Sequence, residues 1–176
     1  MRNVTQLTDS KFLNLKEVKH PEKNVGCYLF AERLGVDSVA FICFDPRREQ
    51  FLLNSEYKPP VNLSVLGSFG GSIDKDKSLK QIVIGEVFEE AGFVVEEKQV
   101  YELGRVLVST QMNQYCHLFL VEIDKDDQQE KHPENAIEAM ATTHWVTWGN
   151  DLVRSMEDWK PLAIILKAEA LNILSS

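Results

Sequence analysis

The chain has 176 residues, 44% of them hydrophobic, and a formal net charge of −8. That length holds one domain with a sizeable core, and the apolar share excludes a disordered chain. The acidic balance argues against nucleic acid as a partner, because proteins grip polyanions through Lys and Arg. No apolar run approaches the roughly 20 residues of a membrane span. Residues 1–6 lack the apolar core of a signal peptide, so a cytoplasmic protein is expected.

Residues 12–18 and 25–33 read as two early strands, a hairpin beside the main core. Residues 38–44 form a continuous apolar run that predicts a buried strand. A turn follows at 45–48, then a returning strand over 50–54. Pro59-Pro60 interrupts the pattern. Residues 61–66 and 68–73 are extended and lead into Gly70-Gly71. An amphipathic helix is expected over 79–91, with Ser78 as its N-cap and Gly92 as its stop. Strands are expected over 100–109 and 115–123, then a polar loop over 124–134 and a strand over 144–148. A short helix at 150–156 and a longer one at 159–174, with Pro161 in its first turn, close the chain. Cys27, Cys43 and Cys116 lie in strand-like segments and read as buried thiols of a reducing compartment. His20, His117, His132 and His144 lack ligand spacing and read as structural or exposed. No repeat or linker divides residues 1–176, so one domain is expected. Strands on both sides of a central helix suggest a sheet covered on two faces.

Glu86, Glu89 and Glu90 stand at i, i+3 and i+4, which puts them on one face of a helix. Ile84, Val87, Phe88 and Ala91 would make the opposite, dry face. A charged helix face is commonly just solvated surface. Clustered carboxylates, however, repel one another unless a cation joins them. The glycine turn upstream allows close approach of the backbone, and the Gly70 carbonyl could add an oxygen. An all-oxygen donor set suits Mg²⁺ or Mn²⁺. Such an ion also reconciles an acidic protein with a phosphate-bearing ligand.

The stretch from Gly71 to Phe93, 23 residues, resembles the signature of the Nudix hydrolases. That signature reads Gly, five residues, Glu, seven residues, then Arg-Glu-apolar-x-Glu-Glu-x-Gly-apolar. Gly71, Glu86, Val87, Glu89, Glu90, Gly92 and Phe93 fall in register. Two positions depart from it: Lys77 stands at the first Glu and Gly85 at the Arg. In the family that Arg holds a glutamate by a charge-assisted bond, which Gly85 cannot make. The resemblance implies an α/β fold, a mixed β-sheet in an α-β-α sandwich. It implies Mg²⁺ or Mn²⁺ held by Glu86, Glu89, Glu90 and the carbonyl of Gly70. It also implies cleavage of the pyrophosphate bond of a nucleoside diphosphate derivative, such as ADP-ribose or another sugar nucleotide.

Within that resemblance, Glu89 and Glu90 are catalytic candidates. Glu134 and Glu138 occupy the loop from which related enzymes draw a general base; ordinary exposed loop acids are the other reading. Glu56-Tyr57-Lys58-Pro59-Pro60 is similar to the nucleotide-binding segment of ADP-ribose and related pyrophosphatases. Tyr57, Lys58, Gly71 and Gln111 are therefore the candidate substrate-binding residues. Lys58 stands where Arg is common, and it offers a point charge instead of a planar fork. Tyr57 could stack on a base or fill the core. Ser109-Thr110-Gln111 occupies the region where ADP-ribose hydrolases commonly carry a proline, so ADP-ribose itself is not singled out. The resemblance further implies a homodimer, and the early strands within residues 1–35 could pack on the second copy. The alternative, motivated by Lys77 and Gly85, is a Nudix-like nucleotide-binding module with weak or no catalysis.

Overall fold

The computed structural model describes residues 4–20, 22, 26–33, 37–73, 76–134 and 136–174. Its strands are β1 (Val4–Gln6), β2 (Leu13–Lys19), β3 (Cys27–Arg33), β4 (Ser38–Asp45), β5 (Gln50–Lys58), β6 (Leu63–Gly67), β7 (Phe69–Ser72), β8 (Val100–Leu107), β9 (Tyr115–Glu122) and β10 (Thr142–Thr147). The helices are α1 (Leu79–Glu86), α2 (Ala136–Met140), α3 (Asn150–Ser155) and α4 (Trp159–Ala170). Among the described residues, β1, β2 and β3 form a small antiparallel sheet. The other strands form a seven-stranded mixed sheet in the order β10-β5-β4-β9-β8, with β6 on β5 and β7 on β4. The pairing of β4 with β9 is parallel.

Alternation along β4 explains the two layers of core. Val39, Phe41 and Cys43 point to one face, where Val83 and Val87 of the helix after β7 cover them. Ala40 and Ile42 point to the other, under Ile164 and Ile165 of α4. A strand covered on both faces reads as a continuous apolar run, which is why residues 38–44 look as they do. The expected sandwich around a mixed sheet is the fold the chain adopts.

The sheet forks beside β4. Residues Cys43–Asp45 pair with β5, whereas Ser38–Phe41 pair with β7. From Asn54 onward β5 has left β4 and pairs with β6 instead. The β5–β6 hairpin and β7 therefore splay apart and leave a concavity between them.

Several expectations need correction. The early hairpin is a three-stranded sheet, because residues Val4–Gln6 pair with β2. β5 runs on to Lys58, since β6 supplies a partner for its second half. α1 stops at Glu86, and Val87–Ala91 form a turn of π-helix. A short helix, α2, interrupts the expected loop-to-strand passage. Cys27 is exposed on the small sheet, while Cys43 and Cys116 are buried.

Candidate functional site

The acidic helix is held firmly at both ends. Ser78 accepts from the Gln81 N–H at 3.2 Å, and the Gln81 side chain accepts from the Ser78 N–H at 3.0 Å, a reciprocal capping box. Val83, Val87 and Ala91 are sealed against the sheet. At the far end Gly92 takes φ 76° and ends the π turn. The loop at 128–132 satisfies carbonyls that a helix end leaves without partners. Gln129 N–H donates to Gly92 O at 2.7 Å, His132 N–H to Glu89 O at 2.9 Å, and the Gln128 amide to Ala91 O at 3.1 Å. Phe88, expected on the dry face, is instead exposed and stacks on His132 with ring centroids 4.6 Å apart. The π turn contains one more residue than an α turn, so side chains beyond Glu86 are rotated off the α-helical phase.

A cavity of about 780 Å³ opens at the fork of the sheet. One wall carries Glu86, Glu89 and Glu90, and the glycine strand β7 runs beside them. The Gly70 N–H donates to Glu90 Oε2 at 3.3 Å. A Cβ at Gly71 would collide with Glu86 Oε1, so that glycine makes room for the carboxylate. A Cβ at Gly70 would lie 2.6 Å from the Val39 carbonyl, which also holds that position to glycine. Glu134 and Glu138 line the same space, joined by the Glu134 N–H donating to Glu138 Oε2 at 2.8 Å.

So many acids in one hollow disturb each other. Burial first, then the charges of Glu89, Glu138 and Glu134, push the Glu86 carboxyl up to about 7, against the opposing pull of Lys77. Burial and the charge of Glu86 push Glu90 up to about 8, against the Gly70 N–H. Glu89 is raised by burial and by Glu134 and Glu138.

Among the described residues, no three Asp, Glu, His or Cys side chains already converge as a ready-made ion cage. Glu86 and Glu90 lean onto β7. The donors nonetheless fit a hard cation: they are carboxylates only, and glycine leaves the backbone beside them open.

The remaining sequence candidates are divided. Lys58 and Gly71 line the cavity, and Lys58 pairs with Glu56 at 2.7 Å. Tyr57 lies outside it, half exposed, with its hydroxyl on Asn62 Oδ1 at 2.7 Å. Alternation along β5 sends it away from the face that carries Glu56 and Lys58. Gln111 also lies elsewhere. Its carbonyl accepts from the Ala31 N–H at 2.7 Å and so ties β3 to the main body.

Sequence reasoning missed Arg33, Asn54, Ser68, Asp158 and Lys160, which all line the cavity. Arg33 comes from the small sheet and reaches Ser72 Oγ at 3.1 Å. Asp158 caps α4, accepting from the Lys160 N–H at 3.1 Å. Its signal was present as an Asp just ahead of Trp-Lys-Pro, a helix-start pattern. Nothing local connects that pattern with the glutamates some seventy positions earlier.

The chain has the shape of a solved ADP compounds hydrolase. The superposition with that crystal structure has a TM-score of 0.73 and covers 97% of this chain and 92% of that one, at 16% sequence identity. At that identity the likeness shows the fold. No protein-family model matches the chain, and no curated protein matches it in sequence. Among the described residues, no helix is long and apolar enough to cross a membrane.

Proposed function

We propose that this protein is a metal-dependent hydrolase of a nucleoside diphosphate derivative, with ADP-ribose or another sugar nucleotide as the substrate type. The observation that carries this reading is the shared wall of Glu86, Glu89 and Glu90 beside Gly70 and Gly71, in a cavity large enough for a ligand. The fold shared with an ADP compounds hydrolase supports it. Glu86, Glu89, Glu90 and the Gly70 carbonyl would hold Mg²⁺ or Mn²⁺. The chemistry supplied by such an ion is neutralisation of the diphosphate and acidification of the attacking water. Arg33, Lys58 and Lys77 give the cavity cationic groups for phosphate oxygens. Glu138 or Glu134, both of which line the same hollow, takes the proton from water. A homodimer in the cytoplasm belongs to the same reading.

The test is release of a nucleoside monophosphate from ADP-ribose, other sugar nucleotides and NADH with saturating Mg²⁺ or Mn²⁺. Glu89→Gln and Glu90→Gln should each lower kcat at least a hundredfold, roughly 2.7 kcal/mol of barrier. Unchanged rates would mean that the wrong carboxylates have been chosen. One observation favours a second reading, a nucleotide-binding module with little turnover. At Gly85, where the resemblance expects an Arg, a Cβ would lie 4.0 Å from Glu89 Oε1, and glycine supplies no side chain there to orient it. Calorimetry separates the two. Tight binding of ADP-ribose that stays intact for hours with metal supports the module, and monophosphate product supports the enzyme.

A further inference from the structure

The cavity has a second polar wall, built by β5, β6 and the start of α4. Asn54 is 94% buried, being 6% exposed, yet it lines the cavity. Its carboxamide has no hydrogen-bond partner among the described residues, and it is not sealed from the hollow. An amide that opens into the cavity without a protein partner is free to bond whatever occupies the cavity.

Register places a carboxylate next to it. Asn54 on β5 is the direct partner of Gly67 on β6, and directly opposed residues of an antiparallel pair share a face. The missing Gly67 side chain leaves its place to Asp158, whose Oδ2 a Cβ there would strike. Asp158 Oδ2 accepts from the Ser68 N–H at 3.3 Å, and Oδ1 takes the Lys160 ammonium at 2.8 Å. The carboxylate is thus fixed in place on the face that carries the free amide. A carboxylate accepts hydrogen bonds, and an amide both donates and accepts. Adjacent hydroxyls, each a donor and an acceptor, satisfy the two together.

The position suits a ligand that also reaches the glutamates. Ser68 touches Asp158 and Gly70 touches Glu90, and the two residues stand two apart on extended chain, about 7 Å. A single sugar ring spans that gap. A nucleobase has less to hold it here, because among the described residues the one aromatic ring in the lining, Phe69, is 1% exposed.

We propose that Asn54 and Asp158 form a specificity subsite that reads the vicinal hydroxyls of a polyol attached to the diphosphate. This rests on the reading of the cavity as a diphosphate site, and deepens it by naming the half of the ligand that the second wall holds. The experiment measures binding, not turnover. The probes are the methylene-bridged, non-hydrolysable analogue of ADP-ribose and methylene-bridged ADP, which lacks the terminal sugar. Both are titrated into the full chain with Mg²⁺ by calorimetry. The sugar-bearing probe should bind at least tenfold more tightly. Asn54→Leu and Asp158→Asn should each reduce that ratio to within about threefold of one. Asn is as good an N-cap as Asp, so Asp158→Asn keeps the start of α4 and decides the matter alone if Asn54→Leu does not fold. A wild-type ratio near one, or a ratio that both variants retain, overturns the subsite. Monophosphate release from ADP-ribose, measured separately, reports on the hydrolase reading and leaves this ratio untouched.

Discussion

The two most perturbed groups of the site, Glu86 and Glu90, make its electrostatics measurable. A carboxyl whose pKa is higher in the fold than in the open chain carries no penalty below the open-chain value. It destabilises the fold progressively as pH rises to the folded value. For Glu90 that window runs from 4.5 to about 8, and for Glu86 from 4.5 to about 7. With chelator present, the protein should therefore lose thermal stability between pH 5 and pH 8.5. Glu90→Gln removes a share of that loss. Its Tm should match wild type near pH 5 and exceed it by roughly 2–4 °C at pH 8.5, equivalent to about 1 kcal/mol after allowance for solvent screening. Added Mn²⁺ should erase the advantage, because the variant lacks the ligand. A Glu90→Gln offset that is the same at both pH values would show that this carboxyl does not titrate in that window. The spacing of Glu86, Glu89 and Glu90 and the upstream glycine were legible in the sequence, because they sit within one short segment. Asn54 and Asp158 were not, because only the register of β5 with β6 and the start of α4 bring them together.

At the scale of elements, the acidic helix was legible in its extent and its caps, but not in its pitch. Periodicity predicts a regular helix through residue 91, whereas the chain opens into a π turn at Val87. Contacts from outside the helix hold the end of that turn. Carbonyls of Glu89, Ala91 and Gly92 are taken by Gln128, Gln129 and His132, from a loop that looked merely polar. Gly92 is the joint of this clamp. Its φ of 76° suits glycine, and a Cβ there would run into the backbone carbonyl of Gln129. Gly26 has a similar φ of 83° but open space around it. Comparing the two separates backbone strain from collision. Gly26→Ala should cost about 1 kcal/mol in urea unfolding, the strain alone. Gly92→Ala should cost about 3 kcal/mol, because a backbone carbonyl cannot swing away as a side chain can. Equal costs would mean that the loop gives way and does not clamp the helix.

The molecule as a whole consists of a covered sandwich and a small sheet that is less well covered. The sandwich was legible because buried strands and an amphipathic helix announce themselves by period. The small sheet was read as a hairpin, since β1 has too few residues to show a pattern. Its docking to the 110–113 loop combines main-chain bonds, Ala31 N–H to Gln111 O at 2.7 Å and Asn113 N–H to Ala31 O at 3.3 Å, with side-chain bonds from the Tyr28 hydroxyl to Thr110 O at 2.8 Å and from the Asn113 amide to Glu32 Oε1 at 3.0 Å. Main-chain bonds leave no mark in composition, and nothing local pairs Tyr28 and Glu32 with a loop some eighty positions later. Leu13 and Leu15 on β2 and Leu29 on β3 lie on one face by register, and each is at least 40% exposed. The opposite side of β2 turns inward, with Asn14 buried and Lys16 paired to Glu32. An apolar stripe on a sheet is costly in water, at about 25 cal/mol per Å² left uncovered. A second copy could cover it, which is the homodimer that the Nudix resemblance implies. Light scattering at micromolar concentration should give twice the mass of one chain, and Leu15→Asp with Leu29→Asp should halve it. Arg33 belongs to the same small sheet and lines the cavity, so the double variant should also raise KM more than it lowers kcat. A wild-type chain that scatters as a monomer would leave that stripe without a second copy to cover it, and would confine the role of the small sheet to the Arg33 that it places at the cavity.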